Sequence, residues 1–265
     1  MSFSSREALL ARLHLQAVLP ALEDLVTASP EARQLVEGWR LSLRLRLAGR
    51  DGPSATIQSS GDGTLRVLTD GNAPAQMTLL FVSANQLNRT FLNATALPPL
   101  PLGAPWLLGK LPTFTKLAAL LNTALQPASA ASLDDENYRS LHLRLLFRVL
   151  IGAIPAIGHG DPAAAHTMAT APAGLAEIQS PVRGLRGWVR WTGKTLTSAL
   201  GEPPAPPDVR ITFRDLETTD AALLGTLDNN SAVGLGRIGV QGLVPLADGL
   251  GMIMDRVEGY LKPAA

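Results

Sequence analysis

Apolar and polar positions alternate strictly over residues 39–47. Trp39, Leu41, Leu43, Leu45 and Leu47 fall on one side, and Arg40, Ser42, Arg44 and Arg46 on the other. A period of two is the mark of a strand with one buried face. Shorter strand signals follow at 55–58, 65–68 and 75–81, separated by turns at Gly49–Gly52, Gly61–Gly63 and Asp70–Asn72. In chain order they predict a four-stranded antiparallel meander. The pattern returns at 175–178, 185–191, 195–200 and 208–213, with a turn at Gly193-Lys194 and a proline-rich connection at 202–207.

Helical periodicity brackets both sets. Residues 6–27 read as a helix divided by Pro20, and Ser29-Pro30-Glu31 restarts it with Ser as cap and Pro at the first position. The strands ending at Phe81 and Phe213 are each followed by a helix, one from Ser83 and one over 216–226. Leu97–Pro105 is too rich in proline for a helix and is expected to be extended or irregular. Gly109-Lys110-Leu111 and Gly236-Arg237-Ile238 read as matching short steps before two closing helices, 113–125 and 243–261. The first carries Phe114, Leu117, Leu121 and Ala124. The second carries Leu243, Leu246, Leu250, Ile253, Met254, Val257 and Leu261 at 3.6-residue spacing. Between the sets, 126–132 reads as a linker and 134–154 as a helix. Asp134, Asp135 and Glu136 suit its N-terminus electrostatically and need no metal. Residues 159–172 read as a loop. The chain therefore divides into two similar domains, 1–128 and 129–265.

Composition narrows the class. Of 265 residues, 46% are hydrophobic, enough for real cores, and 23 basic residues against 22 acidic ones argue against nucleic-acid binding. With no cysteine, disulfides and thiolate chemistry are excluded. No run of the ~18–20 apolar residues needed to span a bilayer stands out. Phe147–Ile157 comes nearest and is interrupted by Arg148 and Pro155. The N-terminus lacks the apolar stretch of a signal peptide, so a soluble cytoplasmic protein is expected.

Motifs that suggest chemistry fail on context. Gly234, Gly236 and Gly239 make a G-x-G-x-x-G, but a turn rather than a buried strand precedes it, and no second strand with an acidic residue follows. Gly193-Lys194-Thr195 resembles the end of a phosphate loop, but Trp188 stands where its first glycine belongs. His14, His142, His159 and His166 have no metal-ligand spacing and no neighbouring nucleophile. The expectation is a protein that is not an enzyme and holds no metal or cofactor.

Taken with Trp39–Leu47, Met77–Phe81, Gly109-Lys110-Leu111, residues 209–213 and Gly236–Gly242 before Leu246-Ala247-Asp248, the pattern resembles the sterol carrier protein 2 (SCP2) domain family, in tandem. The resemblance spans roughly 30–125 and 133–262 and rests on residue classes. The first half departs from it at Pro112-Thr113-Phe114 and in the prolines of Leu97–Trp106. It implies an α+β fold of two units. Each would be a mostly antiparallel five-stranded sheet covered on one face by helices, with an apolar tunnel between the two layers. It implies non-enzymatic binding or transport of a lipid or other hydrophobic molecule of sterol, fatty acyl or polyprenyl type, with transient membrane contact. The tunnel residues implied are Phe81, Leu87, Phe91, Trp106, Phe114, Leu117 and Leu121 in the first half. In the second they are Ile211, Phe213, Leu223, Val240, Leu243, Leu246, Leu250, Ile253, Met254 and Val257. An alternative is an accessory protein whose apolar surface binds an enzyme of lipid or quinone metabolism.

Overall fold

The computed structural model describes residues 5–92, 94–126 and 130–261. Part of the expected 126–132 linker therefore lies outside the described residues. The chain forms two compact units, residues 5–145 and 146–265, and the boundary falls within one helix.

In the first unit Ser5 caps α1 (Arg6–Leu13) by accepting the Ala8 N–H. A π-helical turn, His14–Val18, carries the chain to Pro20 and α2 (Ala21–Ala28). Ser29 caps α3 (Pro30–Val36). The alternating stretch then forms β1 (Glu37–Leu47), with its five apolar side chains buried. β2 (Ser54–Asp62), β3 (Arg66–Leu68) and β4 (Met77–Phe81) follow. Ser83 caps α4 (Ala84–Phe91), and the chain continues through β5 (Leu100–Gly103), a 3-10 turn (Pro105–Lys110) and α5 (Leu111–Leu125).

The expected meander is corrected here. The sheet order is β3-β2-β1-β4-β5, and β4 lies parallel to β1, with Leu43 beside Met77 and Leu45 beside Leu79. The sheet is mixed rather than mostly antiparallel. β1 has apolar neighbours to gain on both edges, and the Asp70–Gln76 connection returns β4 along its free edge. The fifth strand is also displaced. It lies within the proline-rich segment, whereas Gly109-Lys110-Leu111 belongs to the 3-10 turn and the first turn of α5. β5 tolerates Pro101 because an edge strand needs hydrogen bonds on one side only.

In α6 (Glu136–Gly160) the Asp135 carboxylate accepts the Asn137 and Tyr138 N–H groups, a capping role beyond the dipole pairing expected of this acidic run. α6 is long and apolar enough to cross a membrane by length and composition, which the sequence pattern did not suggest. Its most apolar window is 61% buried within the protein, as in a core helix.

The second unit contains the rest of α6 and then α7 (Pro162–Thr170), where a loop was expected. Asp161 caps α7 and Pro162 opens it, so an alanine-rich stretch without apolar periodicity becomes helical. β6 (Gly174–Ser180), β7 (Leu185–Trp191), β8 (Leu196–Leu200) and β9 (Val209–Phe213) follow. The remaining elements are α8 (Leu216–Leu223), α9 (Asn229–Gly234), β10 (Ile238–Gly242) and α10 (Val244–Leu261). α9 replaces an expected turn, and Gly236, with φ +69°, is the left-handed residue between it and β10. The strand order β10-β9-β6-β7-β8 repeats that of the first sheet, including one parallel pair, β6 with β9.

The register equates Met77 with Val209 and Phe81 with Phe213. It also aligns Gly103, opposite Met77, with Gly242, opposite Val209. Both glycines have φ +106°. A Cβ on either would overlap a backbone carbonyl, that of Gln76 or Asp208. The matching glycines are thus the strand-ending pair Gly103 and Gly242, not Gly109 and Gly236.

Candidate functional site

Helices cover the apolar face of each sheet. In the first unit α2 packs near β3, α3 on β1 and β2, and α4 on β4. Phe81 on β4 and Leu87 on α4 are both buried, and the two elements pack on each other. Leu117 and Leu121 are buried where α5 packs on α2 and α3, which places α5 over helices more than over strands. Phe114 is half-buried on α5. Phe91 stacks on the His14 ring at 4.8 Å. Trp106 does not join these residues. It is 75% exposed on the 3-10 turn.

The second unit brings its candidates closer together. α10 packs directly on β6, β9 and β10. Its inward face, Leu246, Leu250, Ile253 and Val257, is buried, as are Ile211 and Phe213 on β9. Leu223, Val240, Leu243 and Met254 are half-buried. Side-chain size sets the spacing here. A Cβ on Gly158 would press on Leu196 and Ile253, and one on Gly174 would press on Leu243 and Leu246. The candidate set is apolar, and the polar pair buried on the same face of the sheet, Ser180 on β6 and Thr219 on α8, is closed on itself at 2.7 Å. No hydrogen bond would orient a polar substrate within that set, whereas an apolar chain needs none.

Polar groups hold the frame of each unit. His14 Nδ1 lies 3.1 Å from Asn88 Oδ1, and Asn88 Nδ2 donates to the Glu7 carbonyl, so His14 carries its proton on Nδ1. Burial lowers its pKa to about 4 despite that bond. His142 donates to the Ala124 carbonyl at 2.7 Å, and burial lowers its pKa as well. His159 Nδ1 donates to the Pro155 carbonyl, while its Nε2 accepts the Leu196 N–H. All three histidines thus have structural partners. Asp161, 1% exposed, accepts from Ala164 N–H, Arg256 Nη2 and the Tyr260 hydroxyl. Burial pushes its pKa up, but these donors outweigh burial and hold it low. No three potential metal ligands converge among the described residues.

The outer faces of the two sheets differ. On the second sheet Glu177 is fully buried between Arg186 and Arg210, and Arg186 also reaches Glu202. Burial raises the Glu177 pKa, yet the two guanidiniums bring it below the usual carboxylate range. In register, Arg44 of the first sheet stands where Glu177 stands in the second. An open polar groove of about 550 Å³ lies on the first sheet's outer face, lined by Arg40, Ser42, Gln58, Ser60, Arg66 and Gln76 among others. The alternation of 39–47 puts the β1 arginines on the face away from the core. Their alternation was visible, but the strands that would flank them were not.

Comparison with known proteins gives likeness of fold alone. No family model matches the chain, and no curated protein matches it. Among solved structures, a sterol carrier protein domain 2 of Helicoverpa armigera is 18% identical, with a TM-score of 0.32, and the match covers 45% of this chain and 93% of that one. A conserved hypothetical protein of Thermus thermophilus is 15% identical, with a TM-score of 0.31, over 53% of this chain and 94% of that one. The inverting sec-alkylsulfatase Pisa1 of Pseudomonas sp. is 14% identical, with a TM-score of 0.26, over 62% of this chain and 31% of that one.

Proposed function

We propose that this protein is a non-enzymatic binder and carrier of lipids or other hydrophobic molecules, built from two SCP2-like units in tandem. The observation that carries this reading is the α10 face, which lays the buried apolar side chains Leu246, Leu250, Ile253 and Val257 over β6, β9 and β10. The repeated strand order and the matched Gly103 and Gly242 support the tandem arrangement. Half-buried Leu243 and Met254 mark where an acyl, sterol or polyprenyl chain would enter, and Met adapts its shape to an irregular guest. Burial of about fifteen methylenes contributes ~12 kcal/mol. An association cost of ~4 kcal/mol then leaves micromolar affinity.

Native mass spectrometry of the purified protein, followed by organic extraction, tests this directly. A co-purifying lipid is expected, together with displacement of a fluorescent fatty acid. Absence of both would sink the proposal. Ile253→Asp should weaken fatty-acid binding at least tenfold by placing a carboxylate in the apolar layer, with circular dichroism as the control for folding. Turnover of lipid esters or alkyl sulfates by the purified chain would overturn the non-enzymatic part.

A further inference from the structure

We infer that the outer face of the first sheet, bordered by β5 and the Trp106 turn, docks on the anionic headgroup layer of a phospholipid bilayer. This deepens the carrier reading and rests on it, since a carrier of lipids must load and unload at a membrane.

Charge is the first argument. Between residues 37 and 133 the sequence holds eight basic residues and four carboxylates, Glu37 at the start of β1, Asp51, Asp62 and Asp70. All four belong to turns or strand ends, and Asp62 and Asp70 are engaged by Thr64 and Asn72. No carboxylate occurs from 71 to 133. Exposed Arg40, Arg46 and Arg66 have no ion pair or side-chain hydrogen bond among the described residues, while Arg44 is held by the Ala73 carbonyl. On the equivalent face of the second sheet Glu177 and Glu202 pair with Arg186 and Arg210, and of its arginines only Arg190 stays exposed without an ion pair among the described residues. An unneutralised face of this kind attracts an anionic surface by about 1 kcal/mol per cation.

Register is the second argument. Leu100, Leu80 and Arg46 lie side by side across β5, β4 and β1, and Leu102, Thr78 and Arg44 form the next row. Residues directly opposite in a sheet share a face, so two leucines more than half exposed adjoin the arginines. Every exposed large apolar side chain described in this unit falls between residues 82 and 108, including Leu97 at 77% and Trp106 at 75%. Exposed leucines beside cations, with an exposed Trp on the adjoining turn, are the composition that settles at the bilayer interface.

The backbone supplies the third argument. Pro98, Pro99, Pro101 and Pro105 lack N–H groups, so this edge is poor at pairing with another strand and has fewer donors to desolvate. Gln86 donates to the Leu97 and Pro98 carbonyls and fixes the start of the segment. The counterpart edge strand, β10, exposes no large apolar side chain.

Flotation of the full-length protein with phosphatidylcholine vesicles, with and without phosphatidylglycerol, tests the docking. Binding is expected only to the anionic vesicles and should weaken as salt rises. Arg40→Gln, Arg46→Gln and Arg66→Gln combined should weaken it about 100-fold, near fivefold per cation. Leu100→Ser with Leu102→Ser should weaken it on anionic vesicles while leaving fatty-acid binding unchanged. No binding by the unaltered protein, or equal binding to neutral vesicles, overturns the docking. So does a concentration-dependent dimer, or capture by an acidic protein, abolished by the same variants without vesicle binding. The carrier reading is scored separately by fatty-acid binding, so either idea can fail alone.

Discussion

His14 is buried beside Asn88 and Phe91, in a place where its imidazole is neutral. Its pKa falls from 6.5 unfolded to about 4 folded, so the unfolded chain binds the extra proton between these values. Stability is therefore undiminished above pH 6.5 and lost as pH falls, by roughly 3 kcal/mol at pH 4. Urea titration across this range should show the loss, and His14→Gln, which can still donate to Asn88, should flatten it. An unchanged slope in the variant would assign the dependence elsewhere. The residues around His14 gave no hint of this role, because its partner Asn88 lies 74 residues away.

At the scale of elements, the junction of α6 and α7 anchors the end of α10. Asp161 caps α7 while holding Arg256 and Tyr260, four turns into the helix proposed as the ligand wall. Asp161→Asn should cost about 1–3 kcal/mol, at the lower end because Arg256 is 40% exposed. Fatty-acid dissociation should quicken in the same variant, as measured by stopped-flow displacement. Asp161 and Glu177 both have lowered pKa values, so their contribution is full above about pH 4.5 and disappears as pH falls further. Glu177→Gln should leave two arginines facing each other and reduce the thermal midpoint, less so in high salt. Asp161 was read as part of a loop because the alanines after it carry no periodic face. Its capping role emerges only once α7 is seen.

For the whole molecule, two sheets of one topology carry different outer faces, one basic and one centred on the buried Glu177 with its two arginines. Their apolar sides differ as well. α10 packs on three strands, whereas α5 packs chiefly on α2 and α3. Ligand should therefore occupy the second unit first. In fatty-acid titration, Leu250→Asp should remove the tighter site, while Leu121→Asp leaves it in place. The reverse order would assign the tighter site to the first unit.

Local sequence was enough to say which residues of β1 and α10 face inward and where several of the helices begin. The alternation of 39–47, the caps at Ser29, Ser83 and Asp215, and the apolar stripe of α10 are short-range signals, set by backbone geometry and solvent. Which strands are neighbours was settled by long-range packing. Period two names a face but no partner, so the parallel placement of β4 beside β1 and of β9 beside β6 could not be read from order along the chain. Packing also settled that β5 lies among prolines, because only an edge position forgives the missing N–H groups. The same non-local pairing set Arg46 beside Leu80 and Leu100. It gave the outer face of the first sheet a chemistry that no single segment carries.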